Sequence, residues 1–317
     1  MKLKRFMRGL SSSAKKARVS FAENSARFFK DRSYRKQVFR RFSELGMRAV
    51  FFAAALTSIA AVLLICVFLF ANGIPAMGEI GLFRFLLGTD WSPTDVPPSF
   101  GILPMIMGSL TITAGAVLVG VPVGILTAVF LAHACPQKLY KYIKPGVDLL
   151  AGIPSVVYGF FGMLVLMSGL GSSIASASLL LGIMILPTVI GLAESALRAV
   201  PESYYEGALA LGAGHYRSVF RVILPAARSG VLAAVILGIG RAIGETMAVI
   251  MVAGNQARMP ISILKGARTL TANIVLEMGY AEGLHRRALF ATGVVLFVFI
   301  LIINLSFSAL KGRENRT

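Results

Sequence analysis

The chain has 317 residues, of which 56% are hydrophobic and 15% charged, with a mean hydropathy of +0.76. A soluble domain carries roughly 25% charged residues, and apolar runs of about 18 or more residues read as membrane helices, so a soluble globular protein is excluded. The formal net charge is +18, but the bases crowd between Lys2 and Arg48 with no nucleic-acid-binding motif, which fits cytoplasmic retention beside anionic membrane lipid and not nucleic acid.

In chain order, residues 1–46 form a basic cytoplasmic region. Between positions 18 and 45, Phe21, Phe28, Val38, Phe42 and Leu45 alternate with bases, a pattern of either an amphipathic surface helix or a basic tail without fixed structure. The region is too basic and too long for a cleaved signal peptide. Residues 47–310 read as a transmembrane permease domain with six spans, near 49–71, 105–132, 147–167, 174–192, 230–253 and 288–310, followed by a basic tail over 311–317. The fold class expected is all-α and polytopic.

Lys and Arg in the connections set the orientation. Lys138, Lys141 and Lys144 follow the second span. Arg198, Arg217, Arg221 and Arg228 follow the fourth, and Lys311, Arg313 and Arg316 follow the last. With the N-terminal tail these share one side, the cytoplasm, so both termini are cytoplasmic in an inner-membrane protein. Residues 72–104 hold Glu79, Asp90 and Asp95 against Arg84 alone. The last outer connection dilutes the rule with Arg258, Lys265, Arg268, Arg286 and Arg287.

Within the spans, Gly120 with Gly124 and Gly240 with Gly244 make small-xxx-small pairs that allow close helix approach. Cys66 and Cys135 read as small hydrophobes, and His133, His215 and His285 are scattered, so neither a disulfide, a metal nor a cofactor is expected. No clustered catalytic groups suggest an enzyme.

The fourth-to-fifth connection, 198–227, is too long for a turn. Pro201 and Glu202 start a helix, and Gly212 and Gly214 end it. A second helical run reaches Pro225. Glu206, Ala208, Gly212, Ile223, Leu224 and Pro225 resemble the EAA loop of binding-protein-dependent ABC importer permeases, with Gly207 departing where that motif prefers Ala. The resemblance implies that this helix-turn-helix docks on a separate ATPase subunit. The chain has no G-x-x-x-x-G-K-[ST] phosphate loop of its own.

The fifth span reads GIGRAIGETMAVIMVAG over 238–254. Each ionisable group at membrane depth costs about 3 kcal/mol on insertion scales. Four-residue spacing in one continuous helix would put Arg241 and Glu245 on one face, where they can pair. Pairing explains tolerance; it leaves open a packing role or a site in which Arg241 meets an anion and Glu245 competes for it. Weaker polar candidates are Ser109, Thr111, Thr113, Ser155 and Tyr158 within spans, and Asn255 and Gln256 at the outer mouth. Ser and Thr in such helices more often bond their own backbone.

GRAIGETMAV, GIPSVVYGFFG, FGILPMIMGSLTIT and TLTANIVLEMGYAEGLHRRALFATGVVLF are similar to phosphate-specific ABC importer permeases of the PstC type, over about residues 47–310. That resemblance implies a type I ABC importer permease fold and a translocation subunit importing inorganic phosphate by alternating access. It implies as partners a second permease subunit (PstA-type), a dimer of ATPase subunits (PstB-type) and a periplasmic phosphate-binding protein (PstS-type). The alternatives are a permease for another oxyanion, sulfate or molybdate, and a non-conducting membrane scaffold.

Overall fold

A computed structural model describes residues 32–314; residues 1–31 and 315–317 lie outside the described residues, and with them the first half of the expected surface helix. By internal contacts the chain divides into two units, Met1–Val67 and Phe68–Thr317.

The first unit contains the start of α1 (Arg32–Ile80), which begins in the basic region and continues as the first apolar run. From Met47 onward its large apolar side chains stand exposed, Phe52 at 70% and Leu64 at 71%. Water penalises such a surface and hydrocarbon does not.

In the second unit, the end of α1 is followed by α2 (Leu82–Leu87) and a short antiparallel pair, β1 (Trp91–Ser92) and β2 (Ser99–Phe100). Next come α3 (Leu103–Val129), extended by a π turn over Phe130–Ala134, then α4 (Gln137–Gly152), α5 (Ser155–Val165) and α6 (Met167–Leu170). α7 (Ile174–Arg198) leads to α8 (Glu202–Ala210), α9 (His215–Ser218), a second π turn over Val219–Ile223, and α10 (Leu224–Ala226). α11 (Arg228–Gly244), α12 (Met247–Val252), α13 (Leu270–Glu277) and α14 (Gly283–Glu314) complete the order.

Among the described residues four segments are long and apolar enough to cross a membrane: Gly46–Ile80, Leu103–Ala134, Ile174–Arg198 and Gly283–Ser306. Two bent pairs raise the number to six if each counts as one span: α4 with α5, at 98°, and His215–Ala226 with α11, at 72°. Two of the expected spans therefore need correction. The third, 147–167, is not one helix. Pro154 drives the residue before it out of helical geometry, and Ile153 sits at φ −71° and ψ 126°. The fifth, 230–253, stops at Gly244, because Glu245 adopts an extended backbone at φ −69° and ψ 132°.

α7 is the centre of the packing, with 67% of its most apolar stretch buried. α3 approaches it through Gly120, where an added Cβ would lie 2.7 Å from the Gly182 carbonyl oxygen, and through Gly124, where it would meet Val189 at 2.8 Å. This expected pair is a packing pair. Gly240 and Gly244 are not, since a Cβ at either would meet nothing within 4 Å. α11 instead packs through Gly230 against Ala196 and Gly238 against Val189, with Ala234 between them fully buried.

The start of α7 is held from three places. Ser173 N–H donates to the Val252 carbonyl, and the N–H groups of Ile174 and Ala175 donate to the carbonyls of Lys265 and Ile263. The Ser173 hydroxyl accepts from Ser176 N–H at 3.2 Å. Donors that a helix leaves unpaired at its first turn are thus satisfied by the end of α12, by the loop that follows it and by the Ser173 side chain.

Candidate functional site

The site centres on the interruption between α11 and α12. Arg241 lies on the last turn of α11 and is partly buried. Its Nη1 donates to Thr188 Oγ1 on α7 at 3.1 Å. Glu245 lies beyond the helix end, and its Oε1 accepts from the backbone N–H groups of Thr246 at 3.1 Å and Ala248 at 3.3 Å. The carboxylate therefore binds donors that open α12, where a helix start favours negative charge. Among the described residues no ion pair joins Arg241 to Glu245. The expected pairing fails because the chain leaves helical geometry at Glu245, which removes the i, i+4 relation.

The weaker candidates separate into distinct roles. Ser109 is buried, and its hydroxyl accepts from Leu270 N–H at 3.0 Å, across to the first turn of α13. Thr271, one residue on, donates through Oγ1 to the Glu245 carbonyl at 3.1 Å. The start of α13 thus ties α3 to the interruption. Thr111 donates to its own helix, to Met107 O at 2.8 Å, and Thr113 is buried. Ser155 is the first residue of α5. Tyr158 donates its hydroxyl to Leu150 O at 2.9 Å, which braces the bend between α4 and α5. Asn255 takes a positive φ of 50°, and its Nδ2 donates to Ile250 O at 2.7 Å, closing the end of α12. Gln256 is exposed beside it.

Sequence reasoning missed two buried ionic clusters. Between α12 and α14, Glu277 is 5% exposed and gathers Arg268, His285 Nε2 at 2.8 Å and Trp91 Nε1–H at 2.8 Å. Arg268 also donates to Asn255 O and Asn273 Oδ1, each at 3.0 Å. At the other end of α7, Glu194 is 2% exposed and accepts from Tyr140 at 2.8 Å and from Arg198 Nε at 2.9 Å, with Lys144 Nζ at 3.3 Å. Arg198 Nη2 also donates to Leu131 O, within the π turn that ends α3. Glu194 and Arg198 have the i, i+4 spacing that could have signalled part of the second cluster, whereas Trp91 lies 186 residues from Glu277 and Tyr140 54 from Glu194, separations that no local pattern reveals.

The 198–227 connection folds as a helix and a sharp turn. Gly212 has φ +84°, and the N–H groups of Gly212 and Ala213 donate to Leu209 O and Ala208 O. Glycine suits this left-handed position. Ala208 is buried, whereas Glu206 and Pro225 are exposed and Leu224 is partly buried. Tyr204, Leu211 and Tyr216 present apolar surface, Leu211 at 91% exposure. Inside, the Tyr205 hydroxyl lies 2.7 Å from His215 Nδ1, and its ring stacks on His133. Among the described residues no set of three His, Cys, Asp or Glu side chains is placed to hold a metal ion.

The helical core thus combines a partly buried cation in an interrupted apolar segment with a helix-turn loop between apolar helices, features of a membrane permease subunit. The family described as binding-protein-dependent transport system inner membrane component matches residues 120–315, and the chain belongs to it. Among its relatives, the probable ABC transporter permease protein YqgH of Bacillus subtilis (strain 168) is 38% identical over 280 residues, covering 83% of this chain and 91% of that protein. The phosphate transport system permease protein PstC of Mesorhizobium japonicum is 34% identical over 304 residues, covering 86% and 91%.

The bacterial alginate ABC transporter with its alginate-bound periplasmic protein contains a chain of similar fold, TM-score 0.61, at 17% identity and covering 88% of this chain and 99% of that one. An inward-facing MetNI methionine ABC transporter matches with TM-score 0.57 at 20% identity, covering 67% and 95%. The fold is that of type I ABC importer permeases. The chain is a membrane permease subunit and not an enzyme; such permeases work with separate ATPase and substrate-binding partners.

Proposed function

We propose that this chain is the translocation subunit of an ATP-driven importer of inorganic phosphate, and that Arg241 is the anion contact in its path. The observation that carries the reading is Arg241 itself, a permanent cation within an apolar segment whose guanidinium has, among the described residues, one hydrogen bond, to Thr188. Four of its five N–H donors remain for a ligand. A guanidinium fork matches phosphate oxygens in pairs. The name of the Mesorhizobium relative supports phosphate over sulfate or molybdate.

In this reading, Glu245 does not restrain Arg241 directly. It fixes the start of α12, and with it the turn that presents Arg241. Ser109 and Thr271 brace that turn from α3 and α13. Ser155 and Tyr158 belong to the bend of the third span, and Asn255 to the outer mouth. Phosphate arrives from a periplasmic phosphate-binding protein at the outer loops. The path forms against a second permease subunit of the PstA type, over the surface that Gly240 and Gly244 leave bare. ATP is hydrolysed by a dimer of PstB-type subunits on Glu206, Ala208, Gly212, Leu224 and Pro225. The termini and the basic regions 1–46 and 311–317 lie on the cytoplasmic side of the inner membrane.

The test is uptake of radiolabelled phosphate by the assembled complex in liposomes. Arg241→Ala is expected to abolish uptake, while the second permease and the ATPase still co-purify with the variant. Normal phosphate uptake would remove Arg241 from the path. Wild-type uptake of sulfate or molybdate in preference to phosphate would reassign the substrate.

A further inference from the structure

Threonine in an apolar helix usually donates its hydroxyl proton to the carbonyl one turn earlier. Thr57, Thr111, Thr127 and Thr292 all do so here, to Ala53, Met107, Val123 and Ala288 at 2.8 to 3.0 Å. Thr188 differs. Its Oγ1 accepts from Arg241 Nη1 at 3.1 Å, and among the described residues its own proton has no acceptor. A hydroxyl carries one donor besides its lone pairs, so the proton stays available beside the guanidinium.

Both groups are partly exposed rather than sealed. The α11 surface next to Arg241 is bare as well, because a Cβ at Gly240 or Gly244 would meet nothing within 4 Å. A cation at membrane depth does not face lipid, so this open side belongs to a polar path or a protein interface. The arrangement is a fork of cationic N–H donors, one neutral O–H donor fixed against it, and room for a ligand.

We infer that Thr188 is a second contact for the translocated oxyanion, donating its hydroxyl proton while its lone pair orients the Arg241 guanidinium. The inference rests on the reading of Arg241 as the anion contact. It gives Thr188 two distinct effects. Accepting from Nη1 restrains a long side chain that otherwise samples many rotamers. Donating to the anion adds a hydrogen bond to a charged group, a class worth about 1.5–3 kcal/mol, or roughly ten- to hundredfold.

The experiment uses the complete complex in liposomes, with inorganic phosphate delivered by its binding protein and rates expressed per co-purified ATPase. Thr188→Val keeps the β-branched shape and removes the hydroxyl. It is expected to lower the maximal uptake rate about tenfold while leaving the half-saturating phosphate concentration set by the binding protein unchanged. Thr188→Ser restores the hydroxyl and is expected to recover the rate to within about twofold. If Thr188→Val fails to assemble, Thr188→Ala takes its place in the same comparison. A hydroxyl-free variant with the wild-type rate overturns the inference, and so does a serine variant as slow as valine, since that outcome assigns Thr188 to packing. Arg241→Ala in parallel separates the two claims. An inactive Arg241→Ala with a normal Thr188→Val refutes Thr188 alone, whereas an active Arg241→Ala refutes the reading beneath it.

Discussion

A charged side chain in an apolar environment is tolerated only when its hydrogen-bonding capacity is met or reserved for a ligand. The two glutamates 194 and 277 illustrate the first case, because each collects three side-chain partners while almost wholly buried. Arg241, with one hydrogen-bond partner among the described residues, is the candidate proposed for the second. Removing one partner of a buried pair leaves the other charge uncompensated, at a cost of about 3–5 kcal/mol. Glu277→Ala strips the acceptor from Arg268, His285 and Trp91 together. It should therefore lower the thermal unfolding midpoint of the purified subunit markedly, with Glu277→Gln falling between it and wild type. An unchanged midpoint for Glu277→Ala would show that the cluster does not hold the connection between α12 and α14 together. Arg241 and Glu245 stood out in the sequence because charge is rare in apolar runs. Thr188 did not, because a hydroxyl in a span carries no comparable signal until its partner is known.

Helical segments follow the apolar pattern where the run is uninterrupted, as in α3, α7 and α14, whose expected positions agree with the observed helices to within several residues. Runs alone misread the third and fifth spans, since hydropathy measures burial preference and not direction. Gly152-Ile153-Pro154 carried the signal for the first break through the steric effect of proline on its predecessor. The second break has no proline; Thr271, 26 residues on, holds the Glu245 carbonyl, and the Glu245 carboxylate caps the start of α12. The glycine pairs show the same limit. Gly120–Gly124 and Gly240–Gly244 have equal spacing, but only the first pair points at α7. The helix and turn of the 198–227 connection were legible because the turn is local. Gly212 sits at φ +84°, where a side chain costs about 1–2 kcal/mol. Gly212→Leu should displace exposed Leu211 and reduce ATP-driven phosphate uptake at least tenfold, with weaker ATPase co-purification. Undiminished uptake with normal ATPase binding would dissociate the turn from coupling.

Across the second unit, α7 links two chemically distinct ends. Its first turn is fastened by the loop carrying Ile263 and Lys265, and its last turn by the Glu194 cluster next to the EAA-like connection. The 98° bend between α4 and α5 sets Lys138, Lys141 and Lys144 on a helix of their own, apart from the apolar α5. Anionic lipid favours such a basic helix at the inner surface. The connection between α12 and α14, with the start of α14, has bases too, of which Arg268 pairs with Glu277 and Arg287 with Glu79 at 2.9 Å. In the proposed orientation, Ile261 and Tyr216, 88% and 71% exposed, lie on opposite sides of the membrane. In a background with Cys66→Ala and Cys135→Ala, Ile261→Cys should react with a membrane-impermeant maleimide in intact cells whose outer membrane is permeabilised. Tyr216→Cys should react only after the inner membrane is opened. Labelling of Tyr216→Cys in sealed cells would invert the topology, and with it the assignment of the EAA-like loop to the ATPase side.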